Sequence, residues 1–203
     1  MAHEHDHDDH DDHDDQGHHH HHPASYAEAV LGYRADKDEF FRVSPNSPVP
    51  ATEREAFEGL PYFDVDPALR FDGLTLEPYA GGEPTAFQIP TSDGKLRPAE
   101  RAGTFSFEID GRACRLTAYI FEGGDRRSVF VPFLDLTSGT ETYGAGRYLD
   151  LEVDDDETYS LDFNLAYHPS CVYDARFSCP LTPAENRLPV RIEAGERLAP
   201  TRA

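Results

Sequence analysis

Five residues between positions 147 and 167, Arg147, Tyr148, Asp162, Asn164 and Tyr167, carry donors and acceptors at spacings that two antiparallel strands would place on shared faces. The strands read as about 147–153 and 159–166, on either side of the polar tetrad Asp154-Asp155-Asp156-Glu157. Residues opposite one another in an antiparallel ladder share a face. Leu149, Leu151 and Val153 therefore meet Tyr159, Leu161 and Phe163, and the other face brings Tyr148 beside Asp162 or Asn164. Arg147 has the parity of Leu149 and Leu151, and a guanidinium on an apolar face is costly unless a carboxylate or an anionic ligand receives it. Two readings follow. Either the five residues line a cleft that binds a small polar or anionic molecule, or Arg147 pairs with Asp135 or Glu141 and the rest are strand-surface groups. The surplus of donors and acceptors beside Arg147 favours the ligand, with the chemistry of any reaction unassigned.

A second set is His168, Cys171 and Cys179, which share one loop. These residues suit a metal site, a redox pair, a loop-stapling disulfide or two buried thiols. Structural zinc wants four tight ligands and the loop offers three at irregular spacing, so a structural role is preferred. Cys114 falls on the apolar face of its strand and reads as a core thiol. The loop 135–146, DLTSGTETYGAG, offers backbone N–H groups to an anion but lacks the Lys and the following helix of a phosphate loop. Ser138 sits in no GxSxG turn, and one histidine outside the N-terminal segment leaves little for triad hydrolysis.

The third set lies in residues 1–22, which hold ten of the eleven histidines: His3, His5, His7, His10, His13, His18, His19, His20, His21 and His22. Imidazole beside carboxylate suits divalent transition metals, so a metal-handling tail is the alternative function, and the composition reads as disordered. The same segment carries eight acids and no base, and without it 31 acids still face 18 bases, a net of −13 against −21 for the whole chain. Of the bases only Lys37 and Lys95 are lysines. Such an excess of carboxylates excludes nucleic acid as a partner. It repels itself at low salt and is screened in molar salt, where the Debye length is about 3 Å. That is the composition of a salt-adapted cytoplasmic protein, of haloarchaea above all. No stretch approaches the roughly 20 apolar residues of a membrane span, and the acidic start does not resemble a secretory signal.

The elements that must position these residues follow from periodicity. Ser25 and Glu28 form a capping box, and Tyr26, Val30, Tyr33 and Phe40 recur at helical spacing, which predicts a helix over about 26–42 that stops before the prolines of SPNSPVP. From about Arg70 the period is two. Phe105, Phe107 and Ile109 alternate with polar residues, Asp110-Gly111 signals a tight hairpin, and Cys114, Leu116, Ala118 and Ile120 return on one face. The chain therefore reads as a mainly β, β-rich α+β domain over 23–203: an antiparallel sheet curled into a barrel or sandwich, with the N-terminal helix packed on it. A third reading of function is a structural or interaction domain with no small ligand.

The runs FFRVSPNSPV, FEGLPYF (57–63), VPFLDLTSGTETYGAGRYLDLEV (131–153) and LDFNLAYHPSCVYDARFSCPLTPAENRLPVRIEAGE (161–196) resemble the domain of unknown function 1684 family over nearly all of residues 26–197. The resemblance implies occurrence in bacteria and archaea, with no assigned activity or cofactor. Where that family's usual pattern has Asn-Pro-Tyr-Cys, this chain has His168-Pro169-Ser170-Cys171, a departure that speaks against an essential metal role for His168.

Overall fold

In the computed structural model, which describes residues 25–199, Ser25 and Glu28 close the capping box that starts helix α1 (Tyr26–Val43). The inward stripe of α1 differs from the apolar spacing. Val30, Arg34 and Phe41 are buried and Lys37 and Asp38 half-buried, whereas Tyr33 and Phe40 are exposed. The helix is turned by polar bonds: Arg34 donates to the Phe63 carbonyl at 2.8 Å, and Asp38 accepts from the Leu60 N–H at 3.0 Å. Only its C-terminal end packs on a small apolar cluster, where Phe41 meets Val49 and Leu60.

The strands are β1 (Arg70–Leu74), β2 (Ala86–Pro90), β3 (Leu96–Ile109), β4 (Arg112–Phe121), β5 (Ser128–Phe133), β6 (Arg147–Glu152) and β7 (Tyr159–Asp162). Strands β2 to β6 form one antiparallel sheet in chain order, and β1 pairs with β7 in a second. The β3–β4 hairpin turns where predicted. Asp110 and Gly111 both take positive φ between the paired Ile109 and Arg112, as a type I′ turn demands.

Two expectations are corrected. No closed barrel forms among the described residues: the two sheets curl around one core but join at isolated bridges, Val153 to Tyr159 and Glu77 to Thr104. Nor do β6 and β7 form a hairpin ladder. Strand β6 pairs with β5 along its length and β7 pairs with β1. At Asp162 the carboxylate accepts the Asn164 N–H at 2.9 Å and the chain turns into a 3-10 helix, Phe163–Leu165. The strand ends there, and Tyr148 bridges to Tyr167 instead of lying across from Asp162 or Asn164.

The main core includes Phe105, Leu116, Val131, Phe133, Leu161 and Phe163, all fully buried, with Cys114 among them. Tyr148 belongs to a second cluster with Ile89, Tyr119 and Phe130. Among the described residues no helix is long and apolar enough to cross a membrane. The His/Asp-rich segment 1–22 lies outside the described residues, and with it all ten candidate metal ligands of the tail: His3, His5, His7, His10, His13, His18, His19, His20, His21 and His22.

Candidate functional site

A groove of about 510 Å³ opens between Tyr33 of α1 and strands β6 and β7. That is within the usual size of a small-molecule site. Leu165 supplies apolar surface, Asp150, Glu152 and Ser160 supply polar groups, and the groove runs along β6 and β7 at Leu149, Leu151 and Asp162. Tyr167 also lines it, at the bridge to Tyr148 that fixes its backbone. The Tyr167 hydroxyl donates to the Asp150 carboxylate. Burial, and then that carboxylate, holds the phenol well above its ordinary range, so it remains a donor.

Behind Tyr167 runs a chain of charge. Lys37 Nζ stands 4.7 Å from the centre of the Tyr167 ring, within cation–π reach. The same ammonium lies 2.6 Å from Glu196 Oε1, a close ion pair set off the angle of a hydrogen bond. Glu196 Oε2 accepts the Tyr173 hydroxyl at 2.9 Å and the His168 backbone N–H at 2.7 Å. Glu196 is 1% exposed, and its approach depends on the preceding residue. Gly195 has φ +74°, and a Cβ there would lie 2.5 Å from the Ala166 carbonyl oxygen.

His168 lies in this network as a neutral ring. Its Nε2 accepts the Tyr143 N–H at 3.2 Å, so the proton is assigned to Nδ1, 3.7 Å from Glu196. Burial, then the Arg147 and Lys37 charges, lowers it to about 3. Its one lone pair is thus committed to a backbone amide. Among the described residues no three His, Cys, Asp or Glu side chains gather as a metal site. Cys171 and Cys179 are free thiols in contact, and the buried Cys114 elsewhere is free as well.

The five residues singled out in the sequence do not converge on one cleft. Arg147 is 1% exposed, and its guanidinium is gripped by the segment 192–196: it donates to the carbonyls of Ile192 at 2.7 Å, Glu196 at 3.1 Å and Ala194. Asp135 stands 3.7 Å away, while Glu141 pairs with Arg191. Burial lowers Arg147 to about 10 against the pull of Asp135 and Glu196, so it stays charged at neutral pH. Asp162 and Asn164 form a second node, which docks the start of α1. Tyr26 donates to both Asp162 carboxylate oxygens at 2.9 and 2.8 Å, and Asn164 clasps the Asp66 backbone on both sides. Tyr148 donates to the Pro180 carbonyl. Asp162 and Tyr167 line the groove and the others do not.

The loop 135–146 is no anion cradle. Its N–H groups from Ser138 to Thr142 are used within the loop by the carbonyls of Asp135, Thr137 and Thr142. Lys37, Glu196, Tyr173 and Asp150 escaped the sequence reading. One signal was present for Lys37: in a chain with two lysines, one of them sits mid-helix.

Among known proteins, the family described as "Protein of unknown function (DUF1684)" matches residues 55–197. No curated protein matches the chain. The solution NMR structure of an uncharacterised protein from Haloarcula marismortui is similar at 38% identity and TM-score 0.64, covering 86% of this chain and 95% of that one. With a family match over most of its length and a structural relative that shares its fold and more than a third of its residues, the chain belongs to the DUF1684 family.

Proposed function

We propose that the protein is a salt-adapted cytoplasmic binder of a small polar molecule that carries a positive charge, held in the groove between α1 and strands β6 and β7. The observation that carries this reading is the lining: the exposed carboxylates of Asp150 and Glu152 and the aromatic Tyr33 and Tyr167, with no Lys or Arg among the lining residues. Carboxylates beside aromatic faces recognise ammonium groups. An anion would meet like charge there, so the anionic half of the sequence expectation is set aside and the polar half kept. Salt adaptation is supported by the net charge of −21 and by the relative in Haloarcula marismortui.

The test is calorimetric titration of the full-length protein in molar KCl with primary and quaternary ammonium metabolites, and with carboxylate and phosphate metabolites as opposites. Ammonium compounds bind, and Tyr167→Leu or Asp150→Asn weakens them about tenfold, or roughly 1.4 kcal/mol. Binding confined to anions, or ammonium binding that both variants leave unchanged, overturns the reading.

A further inference from the structure

Cys171 lies in a 3-10 turn, Ser170–Val172, and is half-buried. Its backbone N–H donates to the Cys179 sulfur at 3.3 Å, and the two side chains interact directly. Cys179 is 7% exposed and pinned from its other side: its N–H donates to Ser92 Oγ at 3.0 Å, and its carbonyl accepts the Ser92 N–H at 2.8 Å. The two sulfurs are thus brought together by hydrogen bonds from the Cys171 and Cys179 backbones, one of them accepted by the Cys179 sulfur. Between them the loop carries Tyr173, whose hydroxyl holds Glu196.

We propose that Cys171 and Cys179 are a reversible oxidation site, a dithiol that small-molecule disulfides convert to an intramolecular disulfide across the 171–179 loop. The Cys171 thiolate attacks one sulfur of the small disulfide, breaks its S–S bond and releases one small thiolate. The mixed disulfide on Cys171 is then attacked by Cys179, whose proton leaves to solvent. The protein S–S bond forms and the second small thiol departs. Two electrons pass from the cysteines to the small disulfide, and a reducing thiol reverses both steps. The order follows exposure: Cys171 is reachable, whereas Cys179 is 7% exposed and burial pushes its thiol up to about 11, so Cys179 is a poor first attacker and reacts once the mixed disulfide is held against it. Cys114, 2% exposed in the main core, is an internal control.

The full-length protein is equilibrated in graded ratios of oxidised to reduced glutathione, folded and in urea, then alkylated and mapped by mass spectrometry. The folded chain goes from three reactive thiols after denaturation to one, with a peptide linking Cys171 to Cys179. Its midpoint lies at a ratio at least tenfold more reducing than in urea, a shift of about 30 mV. Cys179→Ser accumulates a glutathione adduct on Cys171, and Cys171→Ser takes up none. Retention of all three thiols by the folded protein, a link through Cys114, or equal midpoints with and without urea overturns the proposal, whether or not the variants fold.

Discussion

Two cations meet the segment 192–196, one buried and one half-buried, and they are held in opposite ways. Arg147 is enclosed by three backbone carbonyls and stands 3.7 Å from Asp135, with 1% of its surface exposed. Lys37 faces one carboxylate and the rings of Tyr167 and Phe41, and keeps 16% of its side chain in solvent. A guanidinium has five donors in a fixed fork and can bind several carbonyls at once, whereas an ammonium is a compact charge that adapts to what is near. Arg147 therefore serves as a peg for the fold. Lys37 is placed where a charge could influence the groove through Tyr167.

The largest expected effect breaks the comparison at Arg147. Arg147→Met leaves three carbonyls without their donor and Asp135 without its neighbouring positive charge, and should lower unfolding stability by about 3–5 kcal/mol in a urea titration. A loss below about 1 kcal/mol would mean that Arg147 is no peg. Lys37→Met should cost less, about 1–2 kcal/mol, because Glu196 keeps the Tyr173 and His168 donors and water reaches the site. Equal losses in the two variants would erase the distinction.

His168 senses both cations, since each lowers it after burial. The ring is neutral in the folded protein down to about pH 3, while in the unfolded chain it protonates near 6.5. Between those values the unfolded chain binds the extra proton, so stability should fall as pH falls, by at most about 1.4 kcal/mol per pH unit. His168→Asn should flatten that slope in urea titrations from pH 6 to pH 4, and an unchanged slope would assign the acid sensitivity to carboxylates alone. The smallest expected effect is in salt. Melting temperature should rise from low to molar KCl as the net charge is screened, and the penalty of Arg147→Met should hold across that range while that of Lys37→Met shrinks. A melting temperature that stays flat would remove salt adaptation.

What the sequence disclosed was local. The Ser25–Glu28 capping box and the Asp110-Gly111 turn are written within a few residues, and both stand as read. The inward stripe of α1 is not written that way, because Arg34 and Lys37 face inward for partners at Phe63 and Glu196. Helical spacing rewards apolar residues, and so it pointed to Tyr33 and Phe40 instead. Strand parity correctly placed Arg147 with the apolar set, yet nothing near position 147 announces carbonyls that arrive more than forty residues later. Of the five residues picked by type and position, Asp162 and Tyr167 line the groove. Glu196 was not, since an acid after glycine in an acidic chain carries no mark of burial.

The grip of residues 192–196 on Arg147 sets an order for synthesis. A ribosome delivers Arg147 and the strands around it well before Ile192, Ala194 and Glu196 leave the exit tunnel. Until they do, a guanidinium meant for the interior has no carbonyls to bind, and closing the core over it carries the cost of a buried charge with only Asp135, 3.7 Å away, to answer it. The nascent chain should therefore remain open until residue 196 has emerged, and products that stop short of residue 192 should be recognised as unfolded and degraded. This short segment should therefore let the core close only on a chain in which every strand has already been made.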